Sequence, residues 1–222
     1  MTKAEYIDGV MRRLNESGWD DSTAGMFLGG DTSRVEKHVE GSFADAWRRA
    51  VALFPLHYFN HAPFALADHH CDVSLGTGFV VLPADFYVLA SFRMRGWRMS
   101  CLVAPEETQG IASVQSNEFV RGNFCRPVCT LSVHPKYGRI LKYYSLPKGD
   151  DHVIEEALYV GLATSLDDAV SSLDARLAEP LQWLNASAVF TVFEKVELAK
   201  VAEERAILTG GISNAAQHNY QL

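Results

Sequence analysis

The chain has 222 residues, 48% of them hydrophobic and 21% charged, which is ample material for a core in one domain or one domain with appendages. Its formal charge of -7 argues against a protein that grips nucleic acid by the phosphates, while leaving room for a surface that faces DNA without sticking to it. No apolar run approaches the ~20 residues that would span a bilayer, and the charged start Met1-Thr2-Lys3-Ala4-Glu5 does not read as a secretory leader, so a cytosolic setting with reduced thiols is expected.

Thr2 and Glu5 have the spacing of a capping box and predict a helix whose apolar face is Ile7, Val10, Met11 and Leu14, closed by Gly18. Asp20 to Asp31 reads as a loop around Met26-Phe27-Leu28. A long helix is predicted from Thr32 to Phe54, with the stripe Val35, Val39, Phe43, Ala46, Trp47, Ala50 and Phe54, and Pro55 stops it. His57 to Cys71 is aromatic and His-rich with little periodicity, and reads as an irregular connection with one helical turn.

The character then changes. Phe79 to Leu82 reads as a strand after Gly76 and Gly78, Leu82-Pro83-Ala84-Asp85 as a corner, and Phe92 to Val103 as a second strand. A short helix is placed at Pro105 to Gln115. Pro127 to His134 and Arg139 to Leu146 form a hairpin pattern around Pro135-Lys136-Tyr137-Gly138. Val153 to Val160 suits strand and helix equally. Helical periodicity returns from Asp167, with one segment ending at Pro180 and another running on to Phe193. Val196 to Leu208 is charged like a solvent-facing helix, and Ile212 to Leu222 is a polar tail.

Candidate chemistry is sparse. His69-His70-Cys71-Asp72, helped by His57 or His61, is the most suggestive metal cluster, but adjacent histidines diverge on regular backbone and the spacing matches no zinc motif. Gly76-Thr77-Gly78 lacks the third glycine of a dinucleotide fingerprint, since Val81 stands there. Cys71, Cys101, Cys125 and Cys129 form no CxxC pair, and nothing near them in sequence marks an activated thiol. The carboxylate pairs Glu106-Glu107, Asp150-Asp151, Glu155-Glu156 and Asp167-Asp168 read as caps at turns and helix starts. No catalytic residue, metal ligand set or cofactor is therefore assigned. Arg93, Arg95 and Arg98 around Trp97 could bind nucleic acid by charge and stacking, but in an acidic chain they fit a protein interface better. Trp47 and Tyr220 are further candidates for oligomer or partner contact.

The order of elements, with Leu82-Pro83-Ala84-Asp85-Phe86 and its apolar run, Arg121-Gly122-Asn123 leading to Arg126-Pro127-Val128, and the closing segment from Glu179 to Ile207, resembles the head–tail connector proteins of bacteriophages. These are adaptor or tail-tubular ring proteins, including those of phages and prophages of Bacteroidales. The resemblance implies a non-enzymatic virion protein of the neck, made in the host cytoplasm, forming a ring, typically a dodecamer, beneath the portal. Its partners would be other copies of itself, the portal and tail or neck proteins, with DNA passing the lumen unbound and no membrane involved. The fold expected is α+β: a helical bundle from residues 1–71 and 151–208, a β-rich insertion at 72–150 and a flexible tail at 209–222. The rival expectation is a small cytosolic enzyme or a ligand- or metal-binding protein using His57 to Cys71.

Overall fold

A computed structural model describes residues 1–16, 32–64, 69–72, 75–106, 110, 114–115, 117, 119–120, 122–144, 146, 152–163 and 165–211. The fold is mixed α+β, and the chain divides into two compact units, Met1–Asn60 with Leu162–Leu222, and His61–Gly161. Each has its own core.

The first unit is helical. In α1 (Lys3–Glu16) the predicted box is present: the Thr2 amide donates to Glu5 Oε2 at 2.7 Å and the Glu5 amide to Thr2 Oγ1 at 3.2 Å. The buried face is Tyr6, Val10 and Leu14, so the inward stripe is centred on Tyr6 and leaves Ile7 half-buried. Tyr6 can be the buried member because its hydroxyl is satisfied, donating to the Leu181 carbonyl at 3.3 Å. α2 (Thr32–Leu53) buries all seven residues of its predicted stripe, from Val35 to Phe54 just past its end.

After the short α3 (Leu166–Ser171), α4 (Ala175–Val192) is the central element and packs on α1, α2 and α5 (Val196–Gly210). It is buried on most of its circumference, from Leu177 and Leu181 to Gln182, Asn185, Ser187 and Phe190. Contrary to the sequence reading, Pro180 does not end a segment. It sits in the second turn of α4, where its missing N–H forfeits one bond, to the carbonyl four residues earlier. The polar residues of α4 are paired: Asn185 donates to Tyr6 Oη at 3.3 Å and to the Val39 carbonyl at 3.2 Å, and accepts from Ser42 Oγ at 2.7 Å. α5 is not merely solvent-facing. Ala199, Ala202, Ala206 and Gly210 form a small-residue stripe that lets it close on α4, and the Ser187 hydroxyl reaches the Ala199 carbonyl at 2.9 Å.

The second unit holds two antiparallel sheets. One has the order β1-β7-β4, built from Ala62–Pro63, Ile154–Gly161 and Phe86–Met94; the other has the order β2-β3-β6-β5, built from His69–Asp72, Thr77–Val81, Gly138–Tyr143 and Cys129–His134. The β5–β6 hairpin closes with His134 opposite Gly138, as its turn residues imply. Val153 to Val160 resolves as strand, with β7 at the centre of its sheet. The His57 to Cys71 segment is more regular than its sequence suggests, supplying a 3-10 turn at Leu56–Tyr58 and then β1 and β2. This unit thus spans His61 to Gly161, taking in β1, most of β2 and β7, which the sequence reading grouped with the helices. The loop assigned to Asp20–Asp31, most of the helix assigned to Pro105–Gln115, and the tail from Ile212 lie outside the described residues.

Two features of α4 give measurable outcomes. At its start, Asp174 caps the Arg176 amide at 2.8 Å and meets the Arg176 guanidinium at 2.9 Å, hydrogen bonds that hold its carboxyl down to about 2. A lowered folded value means that the stabilisation is full above an unfolded pKa near ~3.9 and is lost as pH falls through about 2. Asp174→Asn, which keeps the cap acceptor and removes the charge, should melt below the parent protein at neutral pH. The gap should close as pH drops from about 4 towards about 2, read as Tm against pH. At its end, the amides of Glu194 and Lys195 bond to the Thr191 and Phe190 carbonyls at 3.1 and 2.9 Å, the pattern of a Schellman cap. Glu194 occupies the left-handed position with φ 57, so Glu194→Gly should raise stability in urea by roughly 1 kcal/mol.

Candidate functional site

The predicted contact residues sit where β4 ends. Arg95 and Gly96 make a turn, with Gly96 at φ 89, and the Trp97 amide returns to the Met94 carbonyl at 3.1 Å. The strand read through Phe92 to Val103 therefore stops at Met94. Beyond the turn, Trp97 is not the next outward residue of a strand but folds inward, 5% exposed, with its ring 5.9 Å from Phe92. Its indole N–H finds no acceptor among the described residues. Trp47 is likewise buried in the helical unit, against Phe43 and Phe59. Burial in their own cores removes both tryptophans from any free contact surface. Tyr220 lies outside the described residues.

The arginines stay at the surface. Arg93 and Arg95 converge on Glu155, at 3.3 and 3.9 Å, and Glu156 receives the Ser100 hydroxyl at 3.1 Å. Glu155 and Glu156 thus lie within β7 and balance β4, where the sequence suggested a cap. Arg98 stacks over the Phe124 ring at 5.6 Å while its amide donates to the Phe124 carbonyl at 2.9 Å. With two guanidiniums on one carboxylate, the edge retains positive charge beside apolar side chains.

Those apolar side chains are the feature the sequence reading missed. Between β4 and β5, Met99, Leu102, Val103, Val114, Phe119, Val120 and Phe124 are all exposed, Phe119 at 95% and Val103 at 72%. One exposed Leu needs no explanation, but seven on one excursion are a concentration that interaction surfaces have. The excursion is tied to the sheets near its start. Cys101 exchanges both backbone bonds with Phe92, at 2.7 and 2.9 Å, and Glu106 bridges to Leu131. A signal was available in the runs Cys101-Leu102-Val103 and Phe119-Val120, which lack a periodic partner face.

The chain has no match among known protein families, curated proteins or solved structures.

The rival site draws its residues from both units. His57 packs edge-on to Tyr58 in the helical unit, whereas His61, His70 and Cys71 belong to the other unit. His70 stacks on Phe79 at 4.6 Å and tilts against Tyr137 at 4.6 Å, and His134 packs on the same two rings, 5.3 Å from Phe79 and 4.9 Å from Tyr137. This is an aromatic cluster across β2, β3 and the hairpin turn. Among the described residues no three His, Cys, Asp or Glu side chains gather as a metal site, and no helix is long and apolar enough to cross a membrane. Cys71 is exposed and Cys125 half-buried, but Cys101 and Cys129 meet inside the core. No spacing rule marks that pair in the sequence, because a bridge to β4 places one member and β5 supplies the other.

The inward position of Trp97 has a direct test. Trp97→Ala should cost about 3–5 kcal/mol of stability through the cavity it leaves, while Trp97→Phe should cost far less, since it also removes an unsatisfied N–H. Arg95→Ala should stay within about 0.5 kcal/mol, all three read by urea denaturation.

Proposed function

We propose that the chain is a non-enzymatic structural protein of a bacteriophage or prophage particle, a head–tail connector that assembles as a ring under the portal. The observation that carries this reading is the exposed apolar excursion between β4 and β5, flanked by Arg95 and Arg98. Aliphatic and aromatic side chains beside arginines are what protein interfaces concentrate, and a stable monomer has no use for them at its surface. The residue-level resemblance of Leu82 to Phe86, of Arg121 to Val128 and of the closing helical segment to connector proteins agrees with it.

In this reading the helices before and after the sheet unit are one bundle interrupted by a β-rich insertion, and the insertion presents the contact surface. Head-to-tail contacts between copies close into a ring when the rotation per subunit allows it, a dodecamer in the connector family. The net charge of -7 lets DNA pass the lumen without being held. The portal lies on one side and tail or neck proteins on the other, in a virion assembled in the host cytoplasm.

The test is mixing with the portal ring of the same genome, imaged by electron microscopy. Added ring density beneath the portal is expected, and lack of association at any concentration overturns the reading. The double substitution Phe119→Ser with Val120→Ser should leave the melting temperature close to the parent's, because both side chains are already in water, and should weaken ring formation at least tenfold.

A further inference from the structure

β4 and β5 belong to different sheets, yet residues tied to them place two thiols in one space. Cys101 is the direct antiparallel partner of Phe92, and Cys129 is the partner of Tyr143 in the β5–β6 ladder. Directly opposed residues project to the same face. The rings of Phe92 and Tyr143 pack 5.9 Å apart between the sheets, so both cysteines point into that layer, where the Cys101 thiol also donates to the Val103 carbonyl at 3.1 Å. Both belong to the same core cluster, Cys101 6% exposed and Cys129 fully buried.

We propose that Cys101 and Cys129 are a covalent modification site: an oxidisable dithiol that closes to an intramolecular disulfide between the two sheets. The bond would also make the apolar excursion Leu102 to Val128 a covalently closed loop.

Cys101 is the attacking sulfur. It lies at the edge of the core, immediately before exposed Leu102 and Val103. The neighbouring Cys129 thiol lowers its pKa to about 7, whereas burial pushes Cys129 up. With a small disulfide such as oxidised glutathione as the oxidant, the Cys101 thiolate forms a mixed disulfide and the glutathione S–S bond breaks, releasing one glutathione. Cys129 then gives up its proton and attacks Cys101 Sγ, expelling the second glutathione. Two electrons pass from the cysteine pair to the oxidant, and the two thiol protons end on the two glutathione thiols.

The experiment treats the folded full-length chain with oxidised glutathione, quenches in acid, alkylates under denaturing conditions and maps peptides by mass. The expected product has lost two hydrogens and contains a linked pair of peptides carrying Cys101 and Cys129, with neither cysteine alkylated. Cys71→Ser with Cys125→Ser should give the same loss, and Cys101→Ser should give no internal bridge. The proposal is overturned if Cys101 and Cys129 are both recovered alkylated, if the bridge uses Cys71 or Cys125, or if glutathione stays on Cys101 unresolved. The parent chain and the Cys71→Ser/Cys125→Ser variant decide it even where Cys101→Ser fails to fold.

Discussion

Phe92 is the residue on which the sheet unit depends. It is fully buried, and it is touched from four directions: by Phe64 after β1, by Trp97 beyond the turn, by Tyr143 in the other sheet, and along its backbone by Cys101. Neither sheet can stand alone. A three-stranded sheet with a two-residue edge strand and a four-stranded sheet each have one apolar face, and each needs the other to cover it. Burying one Phe is worth roughly 1.5–3 kcal/mol, a large share of the 5–15 kcal/mol that usually separates folded from unfolded chains. The inward turn of Trp97 follows from the same requirement. A strand continuing past Met94 would carry the indole away from Phe92, so the chain breaks at Gly96, where a left-handed φ has no steric cost.

The helical unit solves a different problem. Its central helix α4 is buried on most sides yet carries Gln182, Asn185 and Ser187 inside. An apolar helix in that place could rotate or slide at little cost. Asn185 fixes the arrangement, because only one register satisfies the Tyr6 hydroxyl, the Ser42 hydroxyl and the Val39 carbonyl together. Leaving any of these unmade would cost about 1–3 kcal/mol. The small stripe of α5 then sets how closely that helix approaches. A Cβ at Gly210 would run into the Phe54 ring, so the last turn of α5 can lie against the end of α2 only as glycine.

Legibility in the sequence followed the range of the determining interaction. The capping box of α1, the stripe of α2 and the hairpin turn before β6 are set by neighbours within a few residues, and each is where the pattern placed it. The stop of β4, the inward Trp97 and the strand state of Ile154–Gly161 are set by residues far away in sequence, and periodicity has no access to those. The same holds for the candidate site. The arginines were visible as a charged run beside a tryptophan. Their shared partner Glu155 and the meeting of Cys101 with Cys129 depend on strand order, which no local spacing encodes. α5 failed for a subtler reason: its buried stripe is alanine and glycine, which a reading tuned to large apolar residues passes over.

The exposed excursion bears on how tightly copies of the chain would hold each other. Each Val, Leu or Phe transferred from water to a partner contributes about 1.5–3 kcal/mol when fully buried. Association costs an estimated 4–15 kcal/mol in lost translation and rotation before any contact is counted. Four or five such side chains therefore roughly offset that cost and leave a weak pairwise contact. In a closed ring the balance changes, because the last subunit makes two contacts for one loss of freedom. A template that gathers copies, as a portal would, supplies the same advantage from the first subunit onward. Side chains in that number would be too few to drive assembly by themselves and would count for most on a scaffold that already gathers copies. The excess of 27 acidic over 20 basic residues adds a mutual repulsion between copies that any such contact has to overcome.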